Sequence, residues 1–158
     1  MKIIFLDIDG VVNSHAWYEK RPKLGPDHSR EEFKKNEFDP EAVKILRNII
    51  AKTGAKVVLS STWRLSEEGR EEVKRYCCDF ISYTGECTSR IRGAEIHMWI
   101  NDNINYKERD KVRYVILDDD SDMLMWQKDN FFRTDYKIGL TNEIADGVIR
   151  YLNGIGES

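Results

Sequence analysis

The sequence predicts an α/β fold, a three-layer sandwich built on a central, mostly parallel sheet. Three observations carry that prediction. Short unbroken apolar runs at Ile3–Leu6, Val57–Leu59 and Tyr114–Leu117 read as strands buried on both faces. Segments of helical periodicity alternate with them, which argues for crossover units rather than hairpins. Each run also ends in residues able to do chemistry: Asp7 and Asp9, then Ser60, Ser61 and Arg64, then Asp118, Asp119 and Asp122. Ligands of open parallel sheets sit at these carboxyl ends.

The chain has 158 residues, the size of one domain, and is expected to form a single domain over 1–158 with an irregular insert at about 13–38. At 41% hydrophobic and 34% charged residues it has the composition of a soluble globular protein. A net charge of −3 gives no global attraction to polyanions, so any such site has to be a local patch. No apolar run approaches the length needed to cross a bilayer, and no signal-like segment opens the sequence. The expectation is a cytoplasmic protein without membrane attachment, as a monomer or a weak dimer. The three cysteines, two of them adjacent at Cys77 and Cys78, suit a reducing compartment and lack zinc-type spacing.

The first strand runs into Asp7-Ile8-Asp9-Gly10, where glycine permits a sharp turn or a close backbone approach. From Asn13 to Phe38 the pattern breaks: Pro22, Gly25, Pro26 and many charges give an irregular excursion placed to overhang the site. Within it Trp17 stands among Tyr18, Lys20, Arg21 and Lys23, equally suited to stacking a base or to packing inward. Asp39-Pro40 reads as an N-cap followed by proline at the first helical position, and Gly54 ends that helix. The second strand, Lys56 to Ser61, leads to a charged helix over Glu67–Cys78, with its glutamates as a solvated face. Phe80–Thr84 suggests a short third strand. Arg92-Gly93 opens a helix to about Asn101, with Ile96, Trp99 and Ile100 inward. The strand ending at Leu117 leads to the acidic run, Phe131–Thr134 reads as a last short strand, and Thr141 caps a helix over Asn142–Leu152. Trp63, Trp99 and Trp126 are expected in the core or the site wall.

Two carboxylates two residues apart stay ionised together only beside a cation or strong donors. An all-oxygen set of this kind suits Mg²⁺. Carboxylates, hydroxyls and a fixed guanidinium at neighbouring strand ends suit phosphoryl transfer. Phe5-Leu-Asp-Ile-Asp-Gly-Val-Val-Asn13, Ser60-Ser-Thr-Trp-Arg64 and Ile116-Leu-Asp-Asp-Asp-Ser-Asp-Met123 resemble motifs one, two and four of the haloacid dehalogenase (HAD) superfamily. Together with Arg92-Gly-Ala-Glu-Ile96 and Gly139-Leu-Thr141, they resemble more narrowly the small HAD domain of RNA-repair proteins.

That resemblance implies a Rossmann-like sandwich without a large cap and an Mg²⁺-dependent phosphatase. Its substrate would be a phosphorylated nucleic-acid end or a nucleotide. It implies Asp7 as nucleophile, Asp9 as general acid/base, and Asp7, Asp9, Asp118, Asp119 and Asp122 as the source of metal ligands, Asp119 foremost. Ser60 or Ser61 would hold phosphate, aided by Gly10. Arg92 takes the place of the usual motif-three lysine, with Lys107 and Lys111 as alternatives. Arg64 fits equally a phosphate ligand and a brace for the acids. A metal-dependent nuclease and a receiver-like signalling module are the competing classes. Asp7-x-Asp9-Gly10 favours both less than a phosphatase.

Overall fold

The computed structural model describes residues 1–155. Five parallel strands, β1 (Lys2–Leu6), β2 (Lys56–Leu59), β3 (Ser82–Tyr83), β4 (Arg113–Asp118) and β5 (Phe131–Arg133), form one sheet in the order β3-β2-β1-β4-β5. The expected α/β class and parallel sheet are thus present, and every strand pair is parallel. β1 is central, with Phe5 opposite Val58 of β2 and Ile116 of β4.

Alternation along β1 sorts the two layers of core. Ile4 and Leu6 pack under α3 (Pro40–Thr53) and α6 (Asn142–Asn153), with Val73 and Cys77 beside them. Ile3 and Phe5 face the other way, against Ile96 and Trp99 of α5 (Arg92–Asn103). Because both faces are covered, the strand residues are apolar without interruption. The caps fall where the sequence places them. Asp39 accepts from the Glu41 N–H, Thr141 from the Ile144 N–H, and Gly54 and Gly154 close α3 and α6 in the left-handed conformation.

Three features depart from the sequence reading. The 13–38 insert holds two short helices, α1 (His15–Lys20) and α2 (Arg30–Lys35), each capped by a serine hydroxyl, Ser14 and Ser29. Helices this short lack the apolar periodicity that a sequence window detects. The charged helix ends as α4 (Glu67–Glu72) and then widens into a π turn over Val73–Cys77, closed by the Cys78 N–H on the Val73 carbonyl. The wider turn lets both Val73 and Cys77 be fully buried. Finally, the glutamates of α4 are not simply solvated. Glu68 pairs with Arg30 and Lys34, and Glu72 with Lys34 at 2.7 Å, which latches α2 onto α4. Among the described residues no helix is long and apolar enough to cross a membrane.

Candidate active site

The strand order reverses between β1 and β4, and the crevice at their carboxyl ends collects the chemistry. Asp7 leaves β1 with its N–H on the Leu117 carbonyl at 2.9 Å, so it sits directly beside Asp118. Carboxylate oxygens of Asp7, Asp118 and Asp119 lie within 4.8 Å of one another. Asp7 and Asp118 are buried, and burial is the main reason both titrate high, Asp7 at about 6 and Asp118 at about 7. Arg92 lowers both, the Ser61 hydroxyl lowers Asp7 alone, and the Asp7 charge raises Asp118 further. Asp119 is raised as well, again mainly by burial.

One oxygen of this cluster, Asp118 Oδ2, is buried without a hydrogen bond and meets only the Arg92 Nε, at an ion-pair distance of 3.4 Å. Three converging carboxylates with an unsatisfied buried oxygen form a donor set that fits a hard divalent cation. Asp122 does not belong to it. Its carboxylate accepts the Arg92 N–H at 2.8 Å and its carbonyl the Gly93 N–H at 3.1 Å, so it caps α5 instead.

Asp9 stands outside this group of three and is exposed. Its two oxygens are each held by one neutral donor, Asn13 Nδ2 at 2.9 Å and Trp63 Nε1 at 3.0 Å. Sequence reading overlooked both residues as partners of Asp9, although both lie inside the quoted motifs. Asn13 also accepts the Gly10 N–H at 3.0 Å. Gly10 therefore has no N–H to offer a phosphate, contrary to the expectation. Its role is spatial: with φ at +76°, a Cβ there would lie 2.5 Å from Asp119 Cγ. The Thr134 hydroxyl donates to the Gly10 carbonyl at 2.8 Å, which fixes the turn from below.

The two serines divide. Ser61 bonds Asp7, whereas the Ser60 hydroxyl is buried without a partner. Arg64 braces strand-end backbone and Glu95 rather than the aspartate cluster. Its guanidinium, 3% exposed, donates to the carbonyls of Thr84, Ser60 and Ser61 and to Glu95 at 2.8 Å. Four of the five N–H donors of an arginine are so committed. Arg92 is the more loosely paired counterpart: its side chain spans Asp118 at 3.4 Å, Glu95 at 3.4 Å and Asp7 at 4.0 Å. Lys107 and Lys111 lie in a 3-10 turn before β4, and the Lys111 carbonyl accepts from the amino terminus at 3.0 Å, at the opposite end of the sheet. A pocket of about 420 Å³ opens beside Arg92, walled by Thr62, Leu65, Glu86, Arg90 and Asp120.

The family model described as the HAD domain in Swiss Army Knife RNA repair proteins matches residues 3–145. The chain belongs to this family. Comparison with curated proteins and with solved structures returned no match. As a HAD domain the chain carries phosphohydrolase-type chemistry in general terms, and HAD domains generally use Mg²⁺. The sheet, the uncapped site and the order of the acidic motifs agree with that membership. One tryptophan whose role the sequence left open is settled, and one differs from expectation. Trp17 is buried, with its Nε1 donating to the Asn36 carbonyl at 3.0 Å, and so packs inward. Trp126 is 65% exposed and belongs to neither core nor site wall.

Proposed function

We propose that this HAD domain is an Mg²⁺-dependent phosphomonoesterase that works through a phosphorylated Asp7 and removes terminal phosphate, foremost a 3′-phosphate, from a nucleic-acid strand in repair. The observation that carries the reading is the pairing of two unlike carboxylates on one turn. Asp7 is buried against Asp118 and Asp119, and Asp9 is exposed and held by Trp63 and Asn13.

In the first step an Asp7 oxygen forms a bond to phosphorus while the bond to the leaving oxygen breaks, and Asp9 gives that oxygen a proton. In the second, Asp9 takes a proton from water, the water oxygen bonds phosphorus, and the bond to Asp7 breaks to restore the carboxylate. Ser61, next to Asp7, and Arg92 hold the phosphoryl oxygens, with Arg92 swinging from its ion pairs onto the incoming anion. Ser60 has a free hydroxyl for the same anion. Asp7, Asp118 and Asp119 would hold Mg²⁺, joined by the Asp9 backbone as the family pattern has it, and the ion would neutralise charge on the transferring group.

The uncapped site suits a strand end better than a small metabolite, and the family's RNA-repair description agrees with it. A nucleotidase of the same mechanism is the second reading, favoured by the modest 420 Å³ pocket beside Arg92. The free cysteines fit a cytoplasmic setting. The test is inorganic phosphate release with Mg²⁺ by wild type and Asp7→Asn across 3′- and 5′-phosphorylated oligonucleotides, mononucleotides and an aryl phosphate. Release from 3′ ends, lost in Asp7→Asn, is the expected outcome. Retained activity in Asp7→Asn refutes the mechanism, and activity confined to mononucleotides moves the role to nucleotide metabolism.

A further inference from the structure

Just beyond the acidic run the chain turns two large apolar side chains outward. Met125 and Trp126 open a 3-10 turn (Met125–Asn130) and are 89% and 65% exposed. Neither contributes to a core cluster, so packing does not explain them. Trp126 is nevertheless held in place: the His97 ring of α5 meets it nearly perpendicularly, with centroids 5.6 Å apart.

The segment beneath is clamped to the first turn of α5. Gln127 donates to the Gly93 carbonyl at 2.9 Å and accepts the Leu124 N–H at 2.9 Å, while Asp122 takes the N–H groups of Arg92 and Gly93. The fit leaves no room for a side chain at position 93, where a Cβ would lie 2.5 Å from the Leu124 nitrogen. The platform is therefore fixed relative to Arg92, the cation nearest the reacting carboxylates. His97 lies five residues after Arg92, about 7.5 Å along the helix. Met125 lies three residues after Asp122, within about 10 Å of chain. Asp122 and Arg92 both line the site pocket. At about 3.4 Å per stacked nucleotide, spans of about 7.5–10 Å correspond to two or three nucleotides.

Resting on the phosphatase reading above, we propose that Met125 and Trp126 form a stacking platform for an unpaired base next to the phosphorylated terminus, so that the substrate is a single strand rather than a mononucleotide. An indole accepts any base on its π face, and the neighbouring thioether widens the apolar surface. Recognition of this kind suits unpaired ends, whose bases are free to splay onto an aromatic ring. A mononucleotide, with its phosphate at Arg92, has no further base to place on the platform.

The experiment compares wild type, Trp126→Ala and Trp126→Phe on a fluorescein-labelled, 3′-phosphorylated RNA hexamer and on p-nitrophenyl phosphate. Trp126→Ala is expected to raise KM for the hexamer about tenfold, with Trp126→Phe largely restored and aryl phosphate hydrolysis unchanged in both. Anisotropy of the same hexamer, without turnover, reads the platform separately from the chemistry. If wild type releases phosphate from neither compound, the phosphatase reading fails, and the anisotropy difference still decides on the platform. Equal KM and equal hexamer affinity in wild type and Trp126→Ala overturn the proposal and leave the patch to a protein partner.

Discussion

Replacing Asp7 by asparagine is expected to make the metal-free protein more stable while abolishing its chemistry. Burial, with a small addition from the Asp9 charge, raises the Asp7 carboxyl from 3.8 to about 6. A group whose pKa is raised on folding supports the fold at low pH, and that support is lost as pH rises through the folded value. At about 1.4 kcal/mol per pH unit, a rise of this size weakens the fold by about 3 kcal/mol at pH 8. Asparagine removes the buried charge but accepts less well from Ser61 and the Ile8 N–H, a loss of about 1 kcal/mol. The net gain of about 2 kcal/mol corresponds to a melting point higher by about 4–8 °C for a chain of this size. The assay is thermal unfolding with a chelator at about pH 8 and again at about pH 5, where wild-type Asp7 is protonated and the gap should shrink. Millimolar Mg²⁺ should then raise the wild-type melting point well above its own metal-free value and raise that of Asp7→Asn far less. Asp7→Asn melting at or below wild type at pH 8 without metal would refute the claim that the buried Asp7 charge weakens the metal-free fold.

Other perturbations test the surroundings of the cluster. Glu95→Ala strips the carboxylate from a guanidinium that is 3% exposed, and denaturant unfolding should show a loss of about 3 kcal/mol, the low end for a broken buried pair because three carbonyls still face Arg64. Trp63→Phe removes the indole donor from Asp9, and phosphate-release kinetics should show kcat lower by about tenfold with KM little changed. The helix α2 buries no side chain of its own and is latched by Arg30, Lys34 and Glu31 to Glu68, Glu72 and Arg75. Limited proteolysis of the 22–38 stretch should therefore accelerate in 1 M salt, where screening reaches down to about 3 Å, while the melting point hardly moves.

The parts of the fold legible in the sequence were those where one force dominates. Ile3–Leu6, Val57–Leu59 and Tyr114–Leu117 are apolar because both faces of the sheet are covered, and Asp39-Pro40 and Thr141 mark helix starts through local capping. What stayed hidden depends on pairs distant in sequence. Nothing local ties Trp63 to Asp9, fifty-four positions away, or reveals that Arg64 faces Glu95 across thirty-one. The glycine of the first motif was legible as a turn, but its purpose, clearance for Asp119, needs β1 and β4 side by side. Exposure of Trp126 was equally unreadable, since an indole in a sequence is by default an inward residue.

Arg64 gathers the ends of β2 and β3 and the first turn of α5 onto one guanidinium, beneath a pocket whose upper wall is Leu65, Glu86 and Arg90. Floor and wall thus have different tolerances to change. The floor is one interlocked piece in which any replacement disturbs several backbones at once. The wall consists of exposed side chains, and Leu65 at 54% exposure owes little to the core. A lineage, or an engineer, could exchange what the pocket prefers by altering those three positions while the reacting groups stay where they are. On the proposed phosphatase reading, selectivity and catalysis in this chain would be separable inheritances.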